Sequence, residues 1–339
     1  MKAAVMHGAG DIRLEDVPFP QFAADEVLIK VKCVGICGGD IHFYHGTHPY
    51  SNYPRIYGHE LSGEIAAVGA NVNKWNLGDR VVLEPTVACG KCYPCRIGKY
   101  NCCVSLNIIG VHSDGGFAEY VAAPRNKVFS LPDSLPFDLA SLIEPYSIGA
   151  QAFARGQITC DDKVLIIGVG AIGLTLLDIA KNIGHAQVMV ADLHPYRLEL
   201  AKKLGADVTV NTREEDLIEK VMLWTDGEGA GVVAEATGVP SMAEMTPELV
   251  ANGGRVVILG VLNREISLPG IKLTNKEMTI VGSRNSKDNY PMLIESFANH
   301  SLHPEIIMTK KFPFEKISNA FQYMEKNIAK IGKLVIEIE

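Results

Sequence analysis

Between Val34 and Glu60 the chain reads VGICGGDIHFYHGTHPYSNYPRIYGHE, which gathers Cys37, Asp40, His42, His45, His48, His59 and Glu60 into one polar stretch. Cys37, His59 and Glu60 supply a thiolate, an imidazole and a carboxylate. These donor types hold Zn²⁺ while leaving a position for water or a substrate oxygen. A lone cysteine is more often a buried thiol, and a lone histidine a satisfied polar residue, so the inference rests on their conjunction. A second cluster, CGKCYPCRIGKYNCC, spaces Cys89, Cys92, Cys95 and Cys103 as C-x2-C-x2-C-x7-C. Four thiolates so close together close a tetrahedral site with no open position, which predicts a structural zinc. Cys102 could replace Cys103 by register, and an iron–sulfur cluster is the rival occupant.

A third motif, GVGAIG, sets Gly168, Gly170 and Gly173 in a G-x-G-x-x-G pattern after the apolar run KVLII, with Ala171 and Ile172 opening a helix. Gly168 permits the tight turn, Gly170 lets backbone amides approach a pyrophosphate, and Gly173 allows close helix–strand packing. Asp192 lies 19 residues past Gly173, at the end of the next strand, where a carboxylate accepts hydrogen bonds from a ribose diol. That carboxylate repels a 2′-phosphate, and no arginine follows it directly, so NAD is favoured over NADP. The bland alternative is a tight turn with a helix-capping aspartate.

These sites need elements to position them. The chain has 339 residues and 47% hydrophobic composition, which predicts two domains. Its first part reads as short alternating strands (EVLIKVKCVGI, SGEIAAVG, GDRVVLEP, GGFAEYVAAP) broken by glycine and proline, an antiparallel β region. From about residue 150 the rhythm becomes strand then helix: KVLIIGVG, QVMVAD, GVVAEATG and RVVILG alternate with amphipathic segments, predicting a doubly wound parallel sheet. The net charge of −7 argues against nucleic acid or an anionic membrane as partner. No apolar run is long enough for a signal peptide or a membrane span, so a cytoplasmic protein is expected, its cysteines thiols or ligands rather than disulfides.

GICGGDIH, GHELSGEI, the four-cysteine lobe, GGFAEYV, GVGAIG and EATG occur in the order and spacing of zinc-dependent medium-chain dehydrogenases, which the chain resembles over essentially its whole length. DLHPYRLELAKKLGAD and the glutamate of LIEPYSIGAQA look like the polyol, threonine and sugar-acid branch. IIGVHSDGGFAEYV and IVGSRNS are most similar to bacterial L-gulonate and L-galactonate 5-dehydrogenases. The resemblance implies an α/β chain: a GroES-like antiparallel β catalytic domain over 1–149, to which 285–339 return, and a Rossmann NAD-binding domain over 150–284. It implies two Zn²⁺ per subunit. Cys37 and His59 are catalytic ligands, Glu60 a third or exchanging one, and Glu144 either binds the metal or holds its water. Asp40 would accept the other imidazole N–H of His59, or merely cap a helix beginning near Ile41. Thr237, Gly238, Gly260 and Val261 should line the nicotinamide end. Arg197 joins the cofactor set, and Lys333 is assigned to the pyrophosphate, with a solvated surface charge as its plain alternative.

One departure stands out. The family usually carries serine or threonine where this chain has Gly39, so the proton must leave through His42, a water, or Glu144. The implied activity is NAD-dependent oxidation of a secondary alcohol on a sugar acid to the keto acid. Arg284 and Asn285 are substrate-binding candidates, and His45, His48, Tyr50, Tyr53 and Arg55 line the entrance or pack on their own domain. Arg284 could instead form an interdomain ion pair or contact the pyrophosphate. The runner-up is a zinc polyol or threonine dehydrogenase; a rival of another class is a regulatory or binding module without turnover. A homodimer or homotetramer joined through the strand near MTIVGS is expected.

Overall fold

A computed structural model describes residues 1–339. The alternating, turn-punctuated part of the chain forms a mostly antiparallel seven-stranded sheet. Its order is Val128–Ser130, Arg80–Leu83, Glu60–Val68, Glu26–Ile36, Lys333–Glu337 and Met308–Pro313, with Tyr120–Pro124 also paired to Glu26–Ile36. Thus the last strands of the chain return to the sheet built by the first. Lys2–Gly8 and Asp11–Asp16 form a hairpin that joins Arg55–Ile56 in a smaller sheet. Val27, Ile29, Val31, Leu61, Ile65, Phe117 and Phe321 are buried between these layers, each worth about 1.5–3 kcal/mol of transfer free energy.

Register decides what the sheet presents. Gly35 lies opposite Glu60 on one side of the central strand, and Ile36 lies opposite Leu334 on the other. Three strands therefore bring Glu60, Lys333 and the residue before Cys37 to one edge of the sheet.

The alternating strand–helix part forms a six-stranded parallel sheet. Its order is Val208–Asn211, Gln187–Asp192, Lys163–Ile167, Ala230–Glu235, Val250–Ile258, Thr279–Gly282. Val164, Leu165, Ile166, Val188, Val190, Val232 and Val233 are fully buried, as expected of strands covered by helices on both faces. The strand order reverses between Lys163–Ile167 and Ala230–Glu235, and ligands of such sheets bind at that switch, beyond the carboxyl ends of the strands. The strand expected from RVVILG starts earlier, at Val250. The Ile143–Gly156 helix links the two sheets; a Cβ on Gly149 would lie 2.8 Å from the Leu176 nitrogen, so this helix packs backbone to backbone on Ala171–Asn182. No helix is long and apolar enough to cross a membrane.

Candidate active site

Cys37 follows the central strand directly and N-caps the helix Gly38–Tyr44. Its sulfur accepts from the Gly39 N–H at 3.4 Å, and the Asp40 carboxylate reaches back to the Cys37 N–H at 2.8 Å. This reciprocal capping fixes the thiol and starts the helix at Gly38 rather than near Ile41. His59 and Glu60 enter from the neighbouring strand. One donor atom from each of Cys37, His59 and Glu60 lies within 4.8 Å of the others.

The other Asp40 oxygen faces His59 Nδ1 at 3.9 Å, too long for a hydrogen bond. Asp40 thus caps the helix and lies beside the imidazole without bonding it. Glu144, in the first turn of the linking helix, is buried near enough to feel the charges of His59, Glu60, Lys333 and Asp40, but lies outside the converging Cys37–His59–Glu60 group. Burial pushes the Asp40 carboxyl up to about 6 and Glu144 up to about 7, in each case against the pull of His59. Burial alone would depress the His59 imidazole, yet Cys37, then Asp40 and Glu144, outweigh it and leave its pKa raised.

Lys333 corrects a sequence expectation. It is 2% exposed, and its ammonium is bonded to Glu60, so its charge is committed to the metal-site carboxylate rather than to a pyrophosphate or to solvent. The last strand carries it there by pairing alongside Ile36. Gly35 makes room for this arrangement, since a Cβ there would overlap the Glu60 carboxylate.

The donor set fits a divalent cation. Buried His59 Nδ1, Glu60 Oε2 and Asp40 Oδ1 have no hydrogen-bond partner, and unpaired buried polar atoms cost about 1–3 kcal/mol each. A thiol and three carboxyl groups surround one imidazole and one ammonium, so positive charge is in deficit.

In the four-cysteine lobe, Cys89, Cys92, Cys95 and Cys103 likewise converge within 4.8 Å. Cys92 Sγ lies 3.3 Å from Cys95 Sγ and 3.8 Å from Cys103 Sγ. Backbone N–H groups of Val104 and Cys95 pull the Cys92 thiol down to about 6; burial, then the Cys92 sulfur, pushes Cys95 up to about 12. Four sulfurs this close cannot all ionise without a cation among them. Cys103 is buried in the set while Cys102 is exposed outside it, which resolves the register.

At the glycine turn, Gly168 has φ +90° and a Cβ there would lie 2.6 Å from Thr237 Cγ2, whereas a Cβ at Gly170 would meet only Arg197 Nη1, at 3.9 Å. Gly170 N-caps Ala171–Asn182, so the first-turn amides of Ala171, Ile172 and Gly173 are available to an anion. Asp192 is 8% exposed and accepts from the Val169 and His194 N–H groups, both at 2.9 Å, tying the turn to the adjacent strand end. Arg197 lies 3.8 Å from that carboxylate and donates to the Ile328 carbonyl at 2.8 Å.

Glu235, which sequence reading missed although it opens the EATG motif, is fully buried and accepts from the Thr237 and Gly238 N–H groups at 2.7 and 3.1 Å. Gly238 (φ +70°) stacks on the next loop, where an added Cβ would lie 3.0 Å from the Val261 carbonyl. Gly260 packs against Gly238 from that loop, and Val261 is 91% exposed.

Arg284 and Asn285 are held against the cysteine lobe: Asn101 donates to the Arg284 carbonyl at 2.8 Å, and Asn285 donates to the Asn101 carbonyl at 3.4 Å. Arg284 is exposed and in no ion pair, so the interdomain-pair alternative does not hold. His42 is exposed, 3.3 Å from Thr47 Oγ1. His45 pairs with Glu325 at 2.7 Å, and the Tyr53 hydroxyl bonds the Phe43 carbonyl, so these two entrance candidates are engaged elsewhere.

A closed four-thiol lobe, an open mixed-donor cluster and a doubly wound crevice together define a metal-dependent dehydrogenase architecture. Comparison with known proteins agrees: residues 23–133 match the alcohol dehydrogenase GroES-like domain and residues 171–299 the zinc-binding dehydrogenase domain. The chain belongs to the zinc-binding, medium-chain alcohol dehydrogenase family, in its polyol and sugar-acid branch. It is 38% identical to sorbitol dehydrogenase of Bacillus subtilis, over 95% of this chain and 93% of that one. It is 36% identical to L-galactonate-5-dehydrogenase of Escherichia coli K12, over 91% and 89%. Among solved structures, the alcohol dehydrogenase RspB of E. coli CFT073, complexed with NADH, superposes with a TM-score of 0.94 at 34% identity over 99% of both chains. It is an oxidoreductase of alcohols.

Proposed function

We propose that the protein oxidises a secondary alcohol of a sugar acid of the L-gulonate or L-galactonate type to the keto acid, with NAD as hydride acceptor. The observation that carries the acid substrate is Arg284: a cation whose backbone is fixed by Asn101 and whose side chain has no carboxylate partner. An acid relative, the L-galactonate enzyme, supports the reading; the sorbitol enzyme supports a polyol as the second one.

Cys37, His59 and Glu60 would hold the catalytic Zn²⁺, with Glu144 beside them, and the four cysteines a structural one. The catalytic ion would supply Lewis acidity toward the substrate hydroxyl, and the nicotinamide the hydride acceptor. Everything else falls to the chain. The capping box holds the Cys37 thiol, Lys333 orients the Glu60 carboxylate, and the amides of residues 171–173 receive the pyrophosphate. Asp192 favours a free ribose 2′-hydroxyl, being buried where a 2′-phosphate would bring like charge. At Gly39 no hydroxyl is present to pass a proton; His42, a water, or Glu144 through a bound water are the candidates for that role.

A homodimer or homotetramer would pair the exposed edge strand Thr279–Gly282 with its copy. The activity is tested by NAD reduction with L-gulonate, L-galactonate, other hexonates, sorbitol and threonine. Turnover confined to uncharged polyols removes the acid reading. Absence of turnover in zinc-loaded protein supports a binding module instead.

A further inference from the structure

Two histidines that the metal chemistry does not use are fixed in an unusual common state. The Tyr50 N–H donates to His48 Nδ1 at 3.1 Å, and the Ile108 N–H donates to His112 Nδ1 at 3.0 Å. A backbone donor at Nδ1 leaves the proton on Nε2, so each ring has one tautomer, with its Nε2–H free to donate. The rings are also held in one row. His48 packs on Phe43 with centroids 3.9 Å apart, Tyr50 lies 5.6 Å from His48, and His112 lies 4.9 Å from Tyr50. Arg55 secures the far end, its Nη1 donating to the His112 carbonyl at 2.6 Å.

The charges around this row are one-sided. Two cations of the catalytic sheet have carboxylates close by: Lys127 has Glu84 at 3.0 Å and Lys311 has Asp138 at 2.9 Å. His48, His112, Arg55 and Arg284 have none within 4.0 Å, and the neighbouring Asp114 gives an oxygen to the Ile56 N–H at 3.1 Å. Burial, then Arg55 and Arg284, hold the His112 imidazole below its ordinary pKa; burial, then His42, His112 and His59, do the same for His48. Both rings therefore stay neutral donors at neutral pH. The influence of His59 on His48, and of Arg284 on His112, spans the row from the metal cluster to the Arg284 loop.

We propose that His48 and His112, as fixed Nε2–H donors, form with Arg284 a subsite that binds the terminal oxyanion of the substrate and sets its selectivity over uncharged polyols. Neutral imidazole donors suit a polyhydroxylated acid, because they bond hydroxyl and carboxylate oxygens alike without requiring a counter-ion. This inference rests on the sugar-acid reading above. The shared ligand chemistry is a terminal oxyanion, either the carboxylate of a hexonate or the phosphate of a polyol phosphate.

The test compares kcat/KM for a hexonate, the matching polyol and the matching polyol phosphate in the zinc-loaded enzyme, its H48F and H112F variants, and H48Q and H112Q. Phenylalanine keeps the ring row and removes the donor; glutamine restores a donor amide near the Nε2 position. The expected result is a fall of about tenfold or more in the acid-to-polyol ratio for each phenylalanine variant, mostly through KM, with recovery in the glutamine variants. Loop damage would lower acid and polyol turnover together and leave the ratio alone, so an unchanged ratio in the phenylalanine variants overturns the proposal while the acid substrate stands. Wild-type preference for the polyol phosphate, lost in H48F and H112F, keeps the oxyanion subsite and removes the sugar-acid reading. A wild-type enzyme indifferent to the anion overturns both.

Discussion

The cysteine lobe draws its donors from fifteen consecutive residues, Cys89 to Cys103, whereas the catalytic cluster takes Cys37, His59, Glu60 and the countercharge Lys333 from three strand ends. The lobe needs no sheet: its helices Tyr93–Arg96 and Tyr100–Cys102 span a turn each, and the sulfurs themselves are its centre. Such a segment has little apolar burial of its own and would depend on a bound cation for its shape. The catalytic cluster has the opposite economy. Its donors are set by strand register and enclosed by the surrounding fold, and three of its buried polar atoms have no hydrogen-bond partner in the protein. A structural site is thus stabilised by its ion, while a catalytic site is held in readiness by packing elsewhere.

The largest effect should come from dissociating the two sites. H59A should bind one equivalent of zinc instead of two and lose at least about 10³-fold in turnover, since the Lewis acid is worth several kcal/mol to the barrier. Its thermal midpoint should stay close to that of the parent. C92S should do the reverse, losing the lobe metal and several degrees of thermal midpoint while Cys37 and His59 keep theirs. Zinc analysis beside calorimetry checks both; a large loss of stability in H59A, with C92S unaffected, would invert the comparison.

How far the sequence reached follows the same division. The four-cysteine spacing is local, so the ligand set was readable, apart from the choice of Cys102 or Cys103. The alternation of apolar strands with helices made the parallel sheet and its glycine turn readable, because both are properties of contiguous residues. Lys333 was misread because its partner is 273 positions away and only the register of the last strand against Glu26–Ile36 brings them together. Glu235 was passed over for a related reason. A buried carboxylate within an apolar strand looks anomalous until the backbone N–H groups it accepts, from Thr237 and Gly238, are located. His112 carries no spacing signal at all; its place beside Tyr50 is a product of loop packing.

Removing the countercharge should have the next largest effect. K333M leaves Glu60 as a buried carboxylate without its ammonium, and breaking a buried pair from one side typically costs about 3–5 kcal/mol. The expected outcome in denaturant unfolding is a loss of that order in metal-depleted protein. Part of it should return when zinc is added, because the ion compensates the same carboxylate. An equal loss with and without zinc would mean that Glu60 does not face the metal.

The smallest effects distinguish two glycines that stand four residues apart and look alike in sequence. A Cβ at Gly35 would overlap the Glu60 carboxylate and lie 3.2 Å from Glu60 Cβ, whereas a Cβ at Gly39 meets only Cys37 Sγ, at 3.7 Å. G35A should therefore cost about 1–3 kcal/mol by overpacking and displace Glu60. G39A, in the first turn of the Gly38–Tyr44 helix, should be neutral or stabilising by up to about 1 kcal/mol. Because the space at residue 39 accepts a side chain, G39S can be made without disturbing the ligands, and its hydroxyl would stand where the family usually carries one. If the missing hydroxyl limits proton release, G39S should raise kcat on the acidic side and shift the pH–rate profile. An unchanged profile would mean that the proton already leaves efficiently by another group, and that Gly39 serves to widen the pocket beside the thiolate.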